Sequence, residues 1–344
     1  MKVKFVDFPQ SYRKIRKEVL KEIDRVLSAG DLILRDDVEK FEKNLAKIAG
    51  AKYAVGVNSG TDALFLSLKA LGIGKGDEVI TSGYTFWATV EAIINCGATP
   101  VLADIKNDLL IDPGEVEKLI TKKTKAIIPV HIGGNICNMD EIMKIAERNK
   151  LFVVEDSAQA IRASKLRGDT ACYSFYPAKV LGCYGDGGGV ATNNKEIAEK
   201  IKLLRHHGGK PHPQCSGYNS RLDNLQAAIL NVRAKGLRGL IARRKAIAKI
   251  YDKELAKLNN DSLVLPRSIT YQEYNVAVLC RDKLFEFLKE NGIETIKGDY
   301  SFPMKQPPMA SLANEVIIRL PIWPDLTDKQ IKYVCETIKS FYAN

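Results

Sequence analysis

Lys179 closes the stretch Ser174-Phe175-Tyr176-Pro177-Ala178-Lys179 and precedes the glycine-rich Gly185-Asp186-Gly187-Gly188-Gly189. It lies 23 residues beyond Asp156, the acid at the end of the apolar run Leu151-Phe152-Val153-Val154-Glu155-Asp156. An amine and a carboxylate at the ends of two buried strands suit pyridoxal phosphate. A lysine holds its aldehyde as a Schiff base, and an acid partners its pyridinium nitrogen. A lysine taken at random is a solvated surface residue, so the reading depends on companions elsewhere in the chain.

Two companions follow from the sequence. Val57-Asn58-Ser59-Gly60-Thr61-Asp62 leaves a strand and opens a helix, where exposed N–H groups and hydroxyls form an anion site. The same residues also make an ordinary N-cap, and only the lysine and acid on later elements turn the balance toward phosphate. In Ser82-Gly83-Tyr84-Thr85-Phe86-Trp87-Ala88-Thr89, adjacent aromatic rings start another helix, and one could stack on a pyridine ring. Core packing is the alternative for either ring. Their adjacency predicts one ring toward the site and the other toward the interior.

The elements that must position these groups follow from the apolar pattern. From about residue 50 to about 205, short apolar runs at 52–57, 78–81, 100–103, 126–130 and 151–154 alternate with helically spaced stretches. That alternation predicts an α/β fold with a mainly parallel sheet covered by helices on both faces, and ligands on such sheets bind at the carboxyl ends of the strands. After Asn194 the pattern shifts to long helices at 222–234 and 237–258. A compact α/β unit follows, with strands expected at 274–280 and 315–320 and helices at 282–291 and 328–342. At 344 residues the chain exceeds the size of one ordinary core. We expect an N-terminal helix and large cofactor-binding domain over 1–235, and a linking helix with a small C-terminal domain over 236–344.

The chain is 45% hydrophobic and 27% charged, the composition of a soluble globular protein. No apolar run reaches membrane-spanning length, and Met1-Lys2-Val3-Lys4-Phe5-Val6-Asp7 lacks a signal-peptide core. The expectation is a cytoplasmic protein without a membrane partner. Seven cysteines without a CxxC pair argue for reduced thiols. The formal charge of +11 is spread along helices that alternate bases with acids, which disfavours nucleic acid and suits phosphorylated small molecules. His206, His207, His212 and Cys215 fit no compact zinc spacing, so no metal is expected, and their Gly/Pro-rich surroundings suggest a loop closing over substrate.

Taken together, Asn58-Ser59-Gly60-Thr61-Asp62-Ala63-Leu64, Tyr84-Thr85-Phe86-Trp87-Ala88-Thr89, Pro129-Val130-His131, Val154-Glu155-Asp156-Ser157-Ala158-Gln159-Ala160, Ser174 to Lys179 and Gly217-Tyr218-Asn219-Ser220-Arg221-Leu222-Asp223 resemble the DegT/StrS family of pyridoxal-phosphate sugar aminotransferases. The resemblance spans about residues 5 to 340. It implies the aspartate-aminotransferase type I fold, with a seven-stranded sheet in the large domain. It makes Lys179 the Schiff-base lysine, Asp156 the partner of the pyridine nitrogen, Gln159 a contact of the ring or its 3-hydroxyl, and Phe86 the stacking ring with Trp87 beside it. Gly60, Thr61 and Ser174 would hold the phosphate, and Asn219 would reach the cofactor of a second subunit in a homodimer with shared sites. The implied reaction moves the amino group of L-glutamate to a keto-deoxy sugar, 3- or 4-keto and nucleotide-linked, in amino-sugar biosynthesis. A keto-inositol acceptor or a catalytically silent sugar-phosphate-binding regulator are the alternatives.

Three further residues are candidate substrate contacts. These are Tyr176; Arg319, through a bidentate carboxylate contact; and His131, for which a satisfied core position is as good a reading. The chain departs from the family pattern in carrying Asp186 where Glu is usual. It also has Tyr300-Ser301-Phe302-Pro303-Met304-Lys305 in place of a Tyr-x-Pro-x-His pattern, within a short segment between Gly292 and Pro321.

Overall fold

The computed structural model describes residues 1–258 and 263–343. The expected second unit, 236–344, is thus described except for residues 259–262 and 344. The chain opens with helices α1 (Phe8–Ala29) and α2 (Asp36–Ala49), then alternates β1 (Tyr53–Val57), α3 (Gly60–Ala70), β2 (Glu78–Ser82), α4 (Trp87–Cys96), β3 (Thr99–Ala103), α5 (Pro113–Lys118), β4 (Thr124–Ile128), α6 (Met139–Asn149) and β5 (Phe152–Asp156). Two strands follow without a helix between them, β6 (Thr170–Ser174) and β7 (Gly188–Thr192), and then α7 (Lys195–Leu204), α8 (Asn224–Lys235) and α9 (Leu237–Leu255). The last part holds β8 (Leu263–Val264), β9 (Tyr274–Val278), α10 (Arg281–Glu290), β10 (Ile296–Lys297), α11 (Pro308–Val316), β11 (Ile317–Leu320) and α12 (Asp328–Ala343).

Seven strands form one sheet in the order β1-β7-β6-β5-β4-β2-β3. The β2/β3, β2/β4, β4/β5 and β5/β6 pairs are parallel, and only β7 runs antiparallel to its neighbours. The mainly parallel sheet expected from the alternation is therefore present. Both faces are covered, and the sequence shows why: in β5 successive residues point to opposite faces. Val154 joins a core with Leu64, Leu68 and Ile93 from α3 and α4, whereas Val153 joins Ile127, Ile142 and Ile145 on the α6 side. Each of these aliphatic side chains contributes roughly 1.5–3 kcal/mol on burial.

The second sheet has the order β10-β11-β9-β8 and is antiparallel throughout. Its core gathers Tyr251 of α9, Leu284 and Leu288 of α10, Ile318 and Leu320 of β11 and Ile331 and Val334 of α12, and Val3 from the N-terminus packs into the same cluster. Among the described residues, no helix is long and apolar enough to cross a membrane.

Three elements differ from the sequence reading. Helix α2 lies ahead of the alternation that begins near residue 50, and its acid-rich first turn, Asp36, Asp37 and Glu39, suits a helix N-terminus. Gly188 and Gly189, which end the glycine-rich run beyond Lys179, begin a buried strand absent from the expected series, because β7 fits between β1 and β6, where a side chain at Gly188 would collide with the Ser59 carbonyl. The strand expected from Glu315 begins at Ile317, since Pro308 at the first helical position starts α11 and carries it to Val316.

Candidate active site

The carboxyl ends of β1, β2, β5 and β6 meet the edge of the second sheet around a cavity of about 620 Å³. Asp156 faces it from the last position of β5, and Glu155, one residue earlier, faces away. Both oxygens of Asp156 are held as acceptors. Thr89 Oγ1 donates to Oδ2 at 2.8 Å and the Ala158 N–H donates to Oδ1 at 3.1 Å. Thr85 Oγ1 lies 2.8 Å from Thr89 Oγ1, so the first turn of α4 anchors the acid from below.

Lys179 faces the same cavity from the loop after β6. That loop is pinned on either side of the lysine by one side chain from the second unit. Gln272 Oε1 accepts the Val180 N–H at 2.8 Å, and its Nε2 donates to the Ala178 carbonyl at 3.1 Å. Burial holds the Lys179 ammonium below its ordinary value of 10.5, with Glu273 and Asp156 pulling upward and Arg319 pushing further down. A lysine in this setting is easier to deprotonate than a surface one.

The turn from β1 into α3 makes the third part. The Ser59 hydroxyl accepts the Asp62 N–H at 3.1 Å and caps the helix, while Ser220 Oγ donates to Asp62 Oδ2 at 2.6 Å. Among the described residues, no acceptor takes the Gly60 and Thr61 N–H groups, which begin the helix and line the cavity with Ser174. A Cβ on Gly60 would stand 2.6 Å from Ser174 Cβ, so the backbone approaches this wall as closely as only glycine allows. An unspent pair of N–H groups at a helix N-terminus, an aromatic face at Phe86, an amine and an acid in one cavity fit the phosphate, ring, aldehyde and pyridine nitrogen of pyridoxal phosphate.

Gln159, Tyr176 and Arg319 also line this cavity. Gln159 is fixed by three contacts: Oε1 accepts the Gly133 N–H at 2.6 Å, and Nε2 donates to Tyr300 Oη at 3.0 Å and to Glu273 Oε1 at 3.3 Å. The adjacent aromatic rings separate, but only the first goes where expected: one turns to the site, while the other stays half-buried outside the core clusters. Phe86 opens to the cavity and is 62% exposed, whereas Trp87 lies outside the cavity wall and packs against Phe302 with ring centroids 5.2 Å apart.

Two other candidates stand apart. His131 does not reach the cavity. It is wholly buried beneath it, with Nε2 3.0 Å from Glu155 Oε2 and Nδ1 accepting the Cys137 N–H at 3.3 Å, so the core reading of this histidine is the one its surroundings support. Asn219 is exposed and outside the cavity of its own chain. In the Gly/Pro-rich loop, His206 Nδ1 lies 3.1 Å from Arg221 Nη1.

Sequence reasoning missed Thr89, Glu273 and Arg244. Thr89, in the first turn of α4, follows Thr85 by four residues across the start of that helix, and the two hydroxyls meet at 2.8 Å. Glu273 immediately precedes a buried strand, where an acid is out of place unless it serves a site. Arg244 is buried in α9, lines the cavity, and donates from Nη1 to the Tyr271 and Gln272 carbonyls at 3.0 and 3.1 Å. Apolar spacing along α9 gives no sign of it.

The model of the DegT/DnrJ/EryC1/StrS aminotransferase family matches residues 13–339. A Geobacillus stearothermophilus protein named "Pleiotropic regulatory protein" is 40% identical over 371 residues, covering 100% of this chain and 100% of that one. A dTDP-3-amino-3,4,6-trideoxy-alpha-D-glucose transaminase of Streptomyces venezuelae is 37% identical over 366 residues, covering 99% of this chain and 96% of that one. The solved structure of S. venezuelae DesV in complex with a ketimine intermediate superposes with a TM-score of 0.96 at 36% identity, covering 100% of this chain and 99% of that one.

Proposed function

The chain belongs to the DegT/DnrJ/EryC1/StrS aminotransferase family, which works with pyridoxal phosphate, and on that premise we propose that it transfers the amino group of L-glutamate to a nucleotide-linked keto-deoxy sugar. The observation that carries this reading is the convergence of Lys179, Asp156 and the free N–H groups of Gly60 and Thr61 on one cavity. The relatives' named substrates favour a sugar acceptor over a keto-inositol. The regulatory name of one relative raises the reading of a silent binder. Such a protein has no need of a buried lysine and a doubly anchored acid, and their presence favours turnover.

In this reading Lys179 carries the cofactor covalently, and Asp156, oriented by Thr89 and the Ala158 amide, partners its ring nitrogen. The Gly60 and Thr61 N–H groups and the Ser174 hydroxyl take the phosphate, Phe86 covers one ring face, and Gln159 meets the ring or its 3-hydroxyl. Pyridoxal phosphate, when bound, supplies an electron sink for the bond broken at the donor's α-carbon. Lys179, once its amine is free, moves the proton from that carbon as general base and returns it as general acid. Its lowered basicity suits that task near neutral pH. Asn219 reaches the phosphate in a second copy of the chain, which makes the working form a homodimer in the cytoplasm, with the division between large and small domains at 235/236.

The protein loaded with pyridoxal phosphate tests the proposal. Borohydride should fix the cofactor on Lys179, L-glutamate should convert the cofactor's absorption to that of the amine form, and a keto-sugar nucleotide should restore it. Attachment at another lysine, or no conversion by any amino donor, would overturn the reading.

A further inference from the structure

The residues assigned to the cofactor come from the large sheet, which leaves the facing wall of the cavity for the substrate. The first residues of the chain build part of that wall. Phe5 and Val6 line it beside Ile296 of β10 and Ile322 and Trp323, which follow β11. This N-terminal strap is fixed at both ends. The Val3 N–H donates to the Gly292 carbonyl and the Glu294 N–H to the Val3 carbonyl, each at 2.8 Å, so Val3 pairs with the segment that leads into β10. Glu294 Oε2 accepts the Phe5 N–H at 3.1 Å. Asp7 then caps α1 by accepting the Gln10 N–H at 3.0 Å, and Ser11 Oγ donates to Asp325 Oδ2 at 2.6 Å. Phe5 and Val6 are thus carried by a braced segment and not by a free terminus.

The corner formed there offers carbon to a ligand. Phe5, Val6, Ile296 and Ile322 have no polar side-chain atom, and Trp323 spends its one donor, Nε1, on the Lys4 carbonyl at 3.1 Å. The charged neighbours of Ile296 are engaged with partners of their own: Lys297 Nζ lies 2.8 Å from Asp282 Oδ1, and Asp299 Oδ1 accepts the Ser301 N–H at 2.8 Å. A hydroxyl pressed into such a corner gives up water without gaining a partner, whereas a methyl group gains by leaving water. We propose that this corner, built by the N-terminal strap against the second sheet, receives the terminal methyl of a 6-deoxy sugar and selects that class of acceptor over sugars with a hydroxymethyl or a carboxylate at the same carbon. A terminal methyl projects from the sugar ring, so it enters a corner that a ring methylene does not reach. The proposal rests on the aminotransferase reading for placing a sugar beside the cofactor.

The test reads binding without turnover, by isothermal titration of the pyridoxal-phosphate-loaded protein with the dTDP and UDP derivatives of 6-deoxyglucose and of glucose, and with UDP-glucuronate. The 6-deoxy member of each pair should bind roughly ten- to a hundredfold more tightly, the range that an apolar pocket achieves against an added hydroxyl, and UDP-glucuronate should bind most weakly. Val6→Thr keeps the shape and sets a hydroxyl in the corner, and Phe5→Ala opens the corner to water. Both side chains are only half-buried, and each change should narrow the preference severalfold. A change that merely loosens the strap weakens both members of a pair alike and leaves their ratio in place.

Equal binding within the pairs, a preference for glucose, no binding of the 6-deoxy compounds, or a ratio unmoved by both substitutions would overturn the proposal. Conversion of the cofactor by L-glutamate judges the aminotransferase reading separately. A methyl preference in a protein that no amino donor converts leaves the corner standing and removes the transferase, and conversion without the preference does the reverse.

Discussion

Thr89 donates its hydroxyl to Asp156 Oδ2 at 2.8 Å, joining the first turn of α4 to the end of β5 across the floor of the cavity. The Ala158 amide fixes the other oxygen, so the carboxylate has one orientation, imposed from two elements. Thr89→Val keeps the shape and removes the donor. A hydrogen bond to a charged group contributes about 1.5–3 kcal/mol, so kcat/KM should fall roughly tenfold or more, with Thr89→Ser close to wild type and Asp156→Asn well below Thr89→Val. Steady-state kinetics on the three variants checks this. Activity lost in Thr89→Ser but kept in Thr89→Val would show that the methyl packing, not the hydroxyl, matters.

Activity should rise with pH along a limb set by Lys179. Only its neutral amine accepts a proton, and burial places its folded pKa below 10.5, so the neutral fraction grows as pH rises through that lowered value. Glu273 and Asp156 favour the ammonium, and Arg319 opposes it. Glu273→Gln should therefore move the limb to lower pH, and Arg319→Leu should move it higher. Single-turnover rates with L-glutamate across pH would show both displacements, and a limb that stays in place in both variants would assign it to another group.

The strand and helix alternation from Lys52 to Val154 made the large sheet legible, because a parallel sheet buried on both faces reads as uninterrupted apolar runs. The turn at Ser59 and the acid at Asp156 were legible for the same reason, being polar residues at the ends of such runs. The wall contributed by the second unit was not. Gln272, Glu273 and Arg319 come together only through the antiparallel pairing of β9 with β11 and the packing of that sheet over the Lys179 loop. Those are contacts of long sequence separation that no local period encodes. His131 reads as a site residue because it follows an apolar strand and its neighbours Val130 and Ile132 do line the cavity. Its partner Glu155, one position out of phase with Asp156, is what turns it into the core.

That pairing makes a stability prediction. Glu155 Oε1 accepts the Arg167 and Gly168 N–H groups at 2.7 Å each, while Oε2 depends on His131. Removing one partner of a buried pair typically costs about 3–5 kcal/mol, so His131→Ala should lower the unfolding free energy by about that amount. KM for both substrates should stay within a factor of about two, since the side chain does not line the cavity. Denaturant unfolding together with kinetics on the surviving fold distinguishes this from a substrate contact, which would raise KM and leave stability alone.

Gly60 offers the sharpest test of the phosphate site. A methyl group there would stand 2.6 Å from Ser174 Cβ and 3.2 Å from Ser174 Cα, atoms of the β6 terminus that cannot swing aside as a flexible side chain would. Gly60→Ala must therefore push the first turn of α3 away from β6 and carry the Gly60 and Thr61 N–H groups with it. Overpacking of this kind costs about 1–3 kcal/mol, which corresponds to a roughly five- to hundredfold weaker hold on the cofactor. Fluorescence titration of the apoprotein with pyridoxal phosphate should show that loss, and in a double-mutant cycle with Ser174→Gly, which removes the opposing Cβ together with the hydroxyl, the double variant should lose less than the two single losses combined. An affinity unchanged by Gly60→Ala would mean the phosphate is held elsewhere, whereas additive losses would trace the effect to the new methyl group meeting the phosphate itself.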